Sequence, residues 1–152
     1  EYNWSTYKWC DGSKYTMTKY NNDSGYGTVD NKAELDAIDD AAVVNWGGSW
    51  RMPTDAEWTE LTYNCTWSWT TQNGVMGYKV TSKSNGNSIF LPAAGFRSSS
   101  GLYYAGSYSF YWSSSLDTDS PDYVYNLVFG SSYVSWSGTT REYGQSVRPV
   151  CP

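Results

Sequence analysis

Three kinds of side chain in this sequence carry the means for chemistry: cysteines, clustered aspartates and a dense set of tyrosines. The cysteines are Cys10, Cys65 and Cys151. They are compatible with one disulfide and a leftover thiol but do not demand it, and no two stand at the close spacing of a zinc site. Asp36, Asp39 and Asp40 lack the alternating Asp-x-Asp-x-Asp-Gly spacing of a calcium loop. They read as the solvated, acidic start of a helix. The chain has no histidine, which removes Ser-His-Asp and Cys-His catalysis, histidine zinc sites and imidazole acid–base chemistry. Carboxylate pairs exist, but the sequence shows no apolar setting that would shift their pKa. The tyrosines do their chemistry by contact. Each offers a large rigid area with little rotamer entropy to lose, and the Ser and Gly around them add adaptable hydroxyl and backbone contacts.

The elements that must position these residues follow from composition and pattern. At 152 residues and 17.1 kDa, the chain reads as a single domain over 1–152. Aromatic residues make up 18%, with 15 Tyr and 9 Trp, and charged residues only 16%. That much apolar area excludes disorder. A net charge of −5 argues against nucleic acid and anionic membranes as partners. No apolar run reaches 18 residues, so no helical span is expected. No charged-then-apolar leader stands at Glu1; an export signal would have been removed or would lie outside this chain. The last lysine is Lys83, and beyond about residue 98 the chain turns rich in Ser, Tyr, Gly and Asp.

Two helices are expected. Leu35 to Trp46 is acidic at its start and apolar at its end, with Gly47-Gly48 as a C-cap. Thr54-Asp55-Ala56-Glu57 spells a capping box for a helix ending near Asn64, with Trp58 and Leu61 on one face. Asn73-Gly74 and Asn85-Gly86 mark turns, and Tyr78–Thr81 with Ser88–Leu91 forms a hairpin. Pro92 to Gly95 breaks that pattern. Tyr123 to Phe129 alternates, which puts Tyr125, Leu127 and Phe129 toward the core and Asn126 and Val128 toward solvent. Ser146 to Val150 reads as a last strand, confined to an edge or strand end by Pro149. Helices followed by many short strands give the class α+β.

Four phrases occur in order: Asn45-Trp-Gly-Gly-Ser-Trp-Arg-Met-Pro-Thr54, Ile89-Phe-Leu-Pro-Ala-Ala-Gly-Phe-Arg97, Tyr111-Trp-Ser-Ser114 and Gly144-Gln-Ser-Val-Arg-Pro-Val150. Over roughly residues 40–151 they resemble the Fibrobacter succinogenes major paralogous domain family of gut Bacteroidetes and their phages. The resemblance implies a C-type lectin-like fold, related to formylglycine-generating-enzyme-like domains. More narrowly, the chain is similar to variable proteins of diversity-generating retroelements, in which template adenines are mutated and Asn codons scatter into many residues. Such codons never yield Trp, Met, Lys, Gln or Glu. From Gly101 to Tyr143 there is no Lys, Met or Gln, and of the forbidden set only Trp112, Trp136 and Glu142 occur. Trp112 belongs to a family phrase and would be fixed.

The resemblance implies a non-catalytic binding protein whose region 101–143 displays a diversified ligand- or receptor-recognition surface. The candidate positions are Tyr103, Tyr104, Tyr108, Phe110, Asp117, Ser120, Asp122, Tyr123, Asn126, Val128, Tyr133, Ser135, Ser137, Thr139, Thr140 and Tyr143. Val134 reads as a buried anchor between Tyr133 and Ser135. The competing reading makes the tyrosines ordinary half-buried strand residues. Against it, Tyr103, Tyr104, Tyr108 and Phe110 are too dense to be all buried where aliphatics are so few.

No cofactor, catalytic residue or metal is expected. Asp117, Asp119 and Asp122 lack the Glu-Pro-Asn or Gln-Pro-Asp and Trp-Asn-Asp phrases of calcium-dependent lectins. Cys151 has no second cysteine near it in sequence, unlike the pair of the formylglycine-generating oxidases. Arg51, Arg97, Arg141 and Arg148 read as structural. The resemblance implies a partner that is an unknown protein or glycan on a cell or phage-host surface, with no nucleic acid and no membrane insertion by this domain. It also implies an extracellular setting: a bacterial cell surface, as a lipoprotein or pilus tip, or a phage tail. Two alternatives remain open, a fixed-specificity glycan-binding adhesin using Tyr and Trp136, and, last, an oxidase-like enzyme.

Overall fold

In a computed structural model, which describes residues 1–151, the first hundred residues hold two short helices and a meander. Helix α1 (Ala41–Trp46) is only six residues long. The expected first turns, from Leu35 onward, are not helical because their aspartates are engaged elsewhere. The Asp40 carboxylate caps α1, accepting from the Ala42 and Val43 amides at 2.8 and 3.1 Å, and also accepts the Met52 amide at 2.8 Å. Asp39 is drawn to Lys8, Lys19 and the Tyr20 hydroxyl at 3.1, 2.6 and 2.6 Å. Neither is the solvated helix start expected of them: Asp40 is 4% exposed and the Asp39 side chain 2%.

Helix α2 (Asp55–Asn64) forms as its sequence dictates. The Thr54 hydroxyl accepts the Glu57 amide at 3.2 Å while the Glu57 carboxylate accepts the Thr54 amide at 2.9 Å. Glu57 is also gripped by both Arg51 guanidinium nitrogens at 2.7 and 2.6 Å. That fork, opposed by burial and aided by the Thr54 amide, holds the Glu57 carboxyl down at about 2.

Eight strands follow in three antiparallel sheets. β1 (Cys65–Gln72), β2 (Val75–Ser82) and β3 (Ser88–Pro92) form the first, in the order β1-β2-β3. Asn73 and Gly74 turn between β1 and β2 with φ of 50° and 81°, the doubly left-handed pair a tight hairpin needs. The expected hairpin pairs Tyr78 with Leu91 and Val80 with Ile89. β4 (Phe96–Ser98) and β5 (Gly101–Tyr103) make a small second hairpin. β6 (Tyr108–Leu116), β7 (Tyr123–Gly130) and β8 (Tyr133–Thr140) make the third sheet, with β7 in its centre.

The main core lies between the first sheet, α2 and the inner face of the third. Trp58, Tyr78, Val80, Leu91, Ala93, Tyr111, Leu127 and Phe129 are buried together, with Trp67 and Trp69 packed against them. Trp58 also donates its indole N–H to the Trp112 carbonyl at 3.2 Å, which fixes α2 on β6. A smaller core of Tyr20, Leu116 and Val124 sits under the N-terminal segment, with Trp9, Leu35 and Trp112 around it.

The expected class needs correcting. Strand makes up 42% and helix 13%, so the protein is mostly β, with two short helices as accessories, and nothing in it identifies a C-type lectin-like arrangement. Ser, Thr, Tyr and Trp favour the pleated surface, and ion pairing shortened the first helix. The last expected strand, 146–150, is reduced to isolated bridges, Ser146 to Tyr111 and Val150 to Arg51. Cys10 and Cys65 are unbridged; the Cys10 thiol donates to the Trp4 carbonyl at 3.0 Å.

Candidate functional site

Strand register divides the third sheet into two faces, because directly opposed residues share a side. Leu127 and Phe129 point inward and are fully buried, with Val134 and Trp136 opposite them on β8. On the outer face the rows are Tyr108–Gly130–Tyr133, Phe110–Val128–Ser135 and Trp112–Asn126–Ser137.

One end of that outer face is aromatic. Phe96 on β4 is its hub: Tyr103, Tyr104, Phe110 and Tyr143 stand 5.6, 6.0, 5.0 and 5.2 Å from it between ring centroids. From Tyr104 the network runs to Tyr108 at 5.4 Å and from Tyr108 to Tyr133 at 6.1 Å. The separations are those of favourable edge and offset pairs. The hub, Phe110 and Tyr143 are half-buried, while Tyr103, Tyr104, Tyr108 and Tyr133 are exposed. No charged residue occurs in 98–116 or 123–140, so the face is neutral and its polarity comes from hydroxyls.

Two backbone features place these rings. Gly130 lies between Tyr108 and Tyr133, and a Cβ there would come within 2.8 Å of one ring and 3.1 Å of the other. Glycine lets both rings settle over the strand. Tyr104 is held at φ 59°, a conformation that costs a residue with a Cβ roughly 1–2 kcal/mol. Its carbonyl accepts the Ser107 and Tyr108 amides, both at 3.0 Å, which pins the strained turn. Strain that presents a ring, 59% exposed, is the kind found where a surface is used.

Six of the sixteen candidate positions are therefore brought together: Tyr103, Tyr104, Tyr108, Phe110, Tyr133 and Tyr143. Ser135 and Ser137 are exposed on the same outer face. Thr139 shares it but is half-buried.

The others go elsewhere. Asn126 and Val128, expected in solvent, are 0% and 8% exposed. The Asn126 amide donates to the Thr139 hydroxyl at 2.9 Å and to the Gln145 carbonyl oxygen at 3.0 Å. Alternation correctly puts Asn126 opposite Leu127, but the returning segment covers the outer face there, with the Ser146 carbonyl bonded to the Trp112 amide at 3.0 Å. Asp122 is also buried, with Lys14 at 2.9 Å. Asp117 closes a turn by accepting the Asp119 and Ser120 amides at 2.9 and 3.2 Å, and Ser120 is half-buried there. Tyr123 and Thr140 pair with each other on the inner side.

Phe96 is the residue that sequence reasoning missed, since it sits in the phrase over 89–97, ahead of the region 101–143 from which the candidates were drawn. Gly95 before it is the available signal: at φ 69° it has no room for a Cβ, which would meet the Tyr103 carbonyl at 2.0 Å. Trp136, half exposed, is on the opposite side from the tyrosines.

The arginines behave as read where their contacts are defined. Arg51 pairs Glu57, and Arg141 donates to the Tyr123 and Tyr20 carbonyls at 3.0 and 2.6 Å. Among the described residues, no group of three or more Cys, Asp or Glu is placed to hold a metal ion. No described helix is long and apolar enough to cross a membrane.

No curated protein and no solved structure matches the chain. Residues 67–150 match a family described as a domain of unknown function, DUF8237. That span is more than half of the sequence and includes every ring of the aromatic network, and the chain belongs to this family.

Proposed function

We propose that this protein is a non-catalytic binding protein whose working surface is the outer aromatic face. The observation that carries the reading is the continuous network from Tyr103 through Phe96 to Tyr133, exposed at its rim and anchored at its hub. Exposed rings packed against a half-buried neighbour lose little freedom on binding, and a few such anchors supply most of an interface's energy. The partner is a neutral or weakly polar surface on a protein or glycan outside the cell. No cofactor takes part.

The positions fit the diversified region of a retroelement variable protein. Tyr103, Tyr104, Tyr108, Tyr133 and Tyr143 are all reachable from an Asn codon by adenine mutation, and they converge on one face. Sequencing the locus that encodes the chain tests this. A nearby near-repeat of the segment for 101–151, with Asn codons at these tyrosines, supports it. Sibling chains that differ as often outside the face as within it overturn it. Binding is tested separately with arrays of host-surface proteins and glycans. A ligand captured by the parent and kept equally by Tyr104→Ser/Tyr108→Ser/Tyr133→Ser would place recognition elsewhere.

A further inference from the structure

The two edges of the third sheet are treated differently by the fold. Along β6 the backbone groups that point away from β7 are taken. The Tyr108 carbonyl accepts the Gly95 amide at 2.9 Å and the Phe110 carbonyl accepts the Ser146 amide at 3.0 Å, while the Trp112 amide donates to the Ser146 carbonyl at 3.0 Å. Among the described residues nothing of the kind covers β8. Only Ser131 and Ser132 separate Gly130 from Tyr133, so that pair exchanges hydrogen bonds with each other. By alternation, the N–H and C=O groups of Val134, Trp136 and Gly138 then point away from β7. Among the described residues their three amides meet no acceptor, and the Trp136 and Gly138 carbonyls take only the hydroxyls of the neighbouring Ser135 and Ser137, at 3.3 and 3.4 Å.

Edge strands are normally blunted by charge, proline or a bulge. β8 has none of these: it reads Tyr-Val-Ser-Trp-Ser-Gly-Thr-Thr and pairs with β7 without a break in register. Trp136, in its middle, is 51% exposed on the side away from the tyrosines.

We propose that β8 is the surface on which a second copy of this chain docks, antiparallel and edge to edge, about a two-fold axis at Trp136. A second copy is the occupant because the strand matches itself. With Trp136 opposite Trp136 of the second copy, Gly138 falls opposite Val134, and the glycine leaves room beside each indole. On the outer face Ser135 falls opposite Ser137, a hydroxyl pair of the kind that bonds across strands. The strand is uncharged, so no like charges meet at the axis. The Asp117 carboxylate, which a Cβ on Gly138 would meet at 3.3 Å, stays at the two ends of the shared ladder. A two-fold axis normal to the sheet keeps its faces on their own sides. Both aromatic faces then point in one direction, although dimerisation does not depend on what those faces bind.

Sedimentation equilibrium of the intact chain over about 5–500 µM tests the inference. A ladder over 134–138 is a small interface, so a dissociation constant of about 10–100 µM is expected. Deuterium exchange at the Val134, Trp136 and Gly138 amides should slow about three- to sixfold between those two concentrations, as the free fraction falls. Trp136→Glu sets two carboxylates against each other at the axis and should weaken the dimer at least about tenfold. Trp136→Pro should do the same, because it removes an N–H that points away from β7 and costs no bond within the chain. Ser68→Glu puts the same charge on β1, an edge of the first sheet, and should leave the dimer intact. A monomer throughout the range, amide exchange independent of concentration, a dimer kept in full by a folded Trp136→Glu, or one lost in a folded Ser68→Glu would each overturn the assignment.

Discussion

Tyr108 and Tyr133 meet across Gly130, with their ring centroids 6.1 Å apart on the outer face of the third sheet. A central-strand glycine is a weak point by itself, since it packs nothing. Here two cross-strand neighbours lean over it and cover it, so a gap in one strand becomes a seat for two rings.

Gly130→Val removes that seat. The new side chain would have to displace both rings, and overpacking of this kind costs about 1–3 kcal/mol. Urea unfolding should report that loss, and the ring-to-ring nuclear Overhauser contact between Tyr108 and Tyr133 should disappear. A variant that kept both the contact and full stability would show that the rings do not rest on the glycine.

Tyr104→Gly sets two effects against each other. It releases the strained φ of 59° and loses ring contacts with Phe96 and Tyr108. Stability should stay within about 1 kcal/mol of the parent. Affinity for a partner of the aromatic face should fall by about 30-fold or more, as for a contact tyrosine that carries much of the binding energy. Large losses of both would make Tyr104 a structural residue.

Asn126 separates interior from display. Asn126→Ala leaves the Thr139 hydroxyl and the Gln145 oxygen without their donor inside the protein, a loss of about 1–3 kcal/mol. Ser135→Ala and Ser137→Ala, at exposed positions of the same face, should change stability by no more than about 0.5 kcal/mol. Chemical denaturation of the three variants decides it.

Acid sensitivity follows from two carboxylates. Burial alone would raise Asp39, but hydrogen bonds from Lys19, Tyr20 and Lys8 prevail and hold it at about 2, and the Arg51 fork does the same for Glu57. A depressed folded pKa means stability that is complete above the unfolded value near 4 and lost as pH falls through about 2. Unfolding free energy should therefore be insensitive to these groups at neutral pH and decline between about pH 4 and 2. Asp39→Asn and Glu57→Gln should each be less stable at pH 7 and show a shallower decline in acid. An unchanged slope in both would remove these pairs from the acid response.

The sequence alone determined what short-range physics controls. The Thr54–Glu57 capping box, the Asn73-Gly74 turn and the alternation of Leu127 with Asn126 depend on residues within a few positions of one another, the Tyr78–Leu91 hairpin on strands adjacent in sequence, and each forms as read. The tyrosine-rich segment was legible as something other than core because aliphatic residues are too few there to bury so many rings. Only the tertiary structure decided which side of each strand is wet. Alternation separates Asn126 from Leu127 but says nothing of the segment near Ser146 that closes over Asn126, nor of the N-terminal residues that roof Val124 and Arg141. It also decided how much helix survives, since Lys8 and Lys19 reach Asp39 from far back in the chain and hold Leu35 to Asp39 out of α1. Convergence of Tyr103, Tyr104, Phe110 and Tyr143 around Phe96 is of the same kind. Contacts between distant segments are set by packing and burial of the whole chain, and no local pattern encodes them.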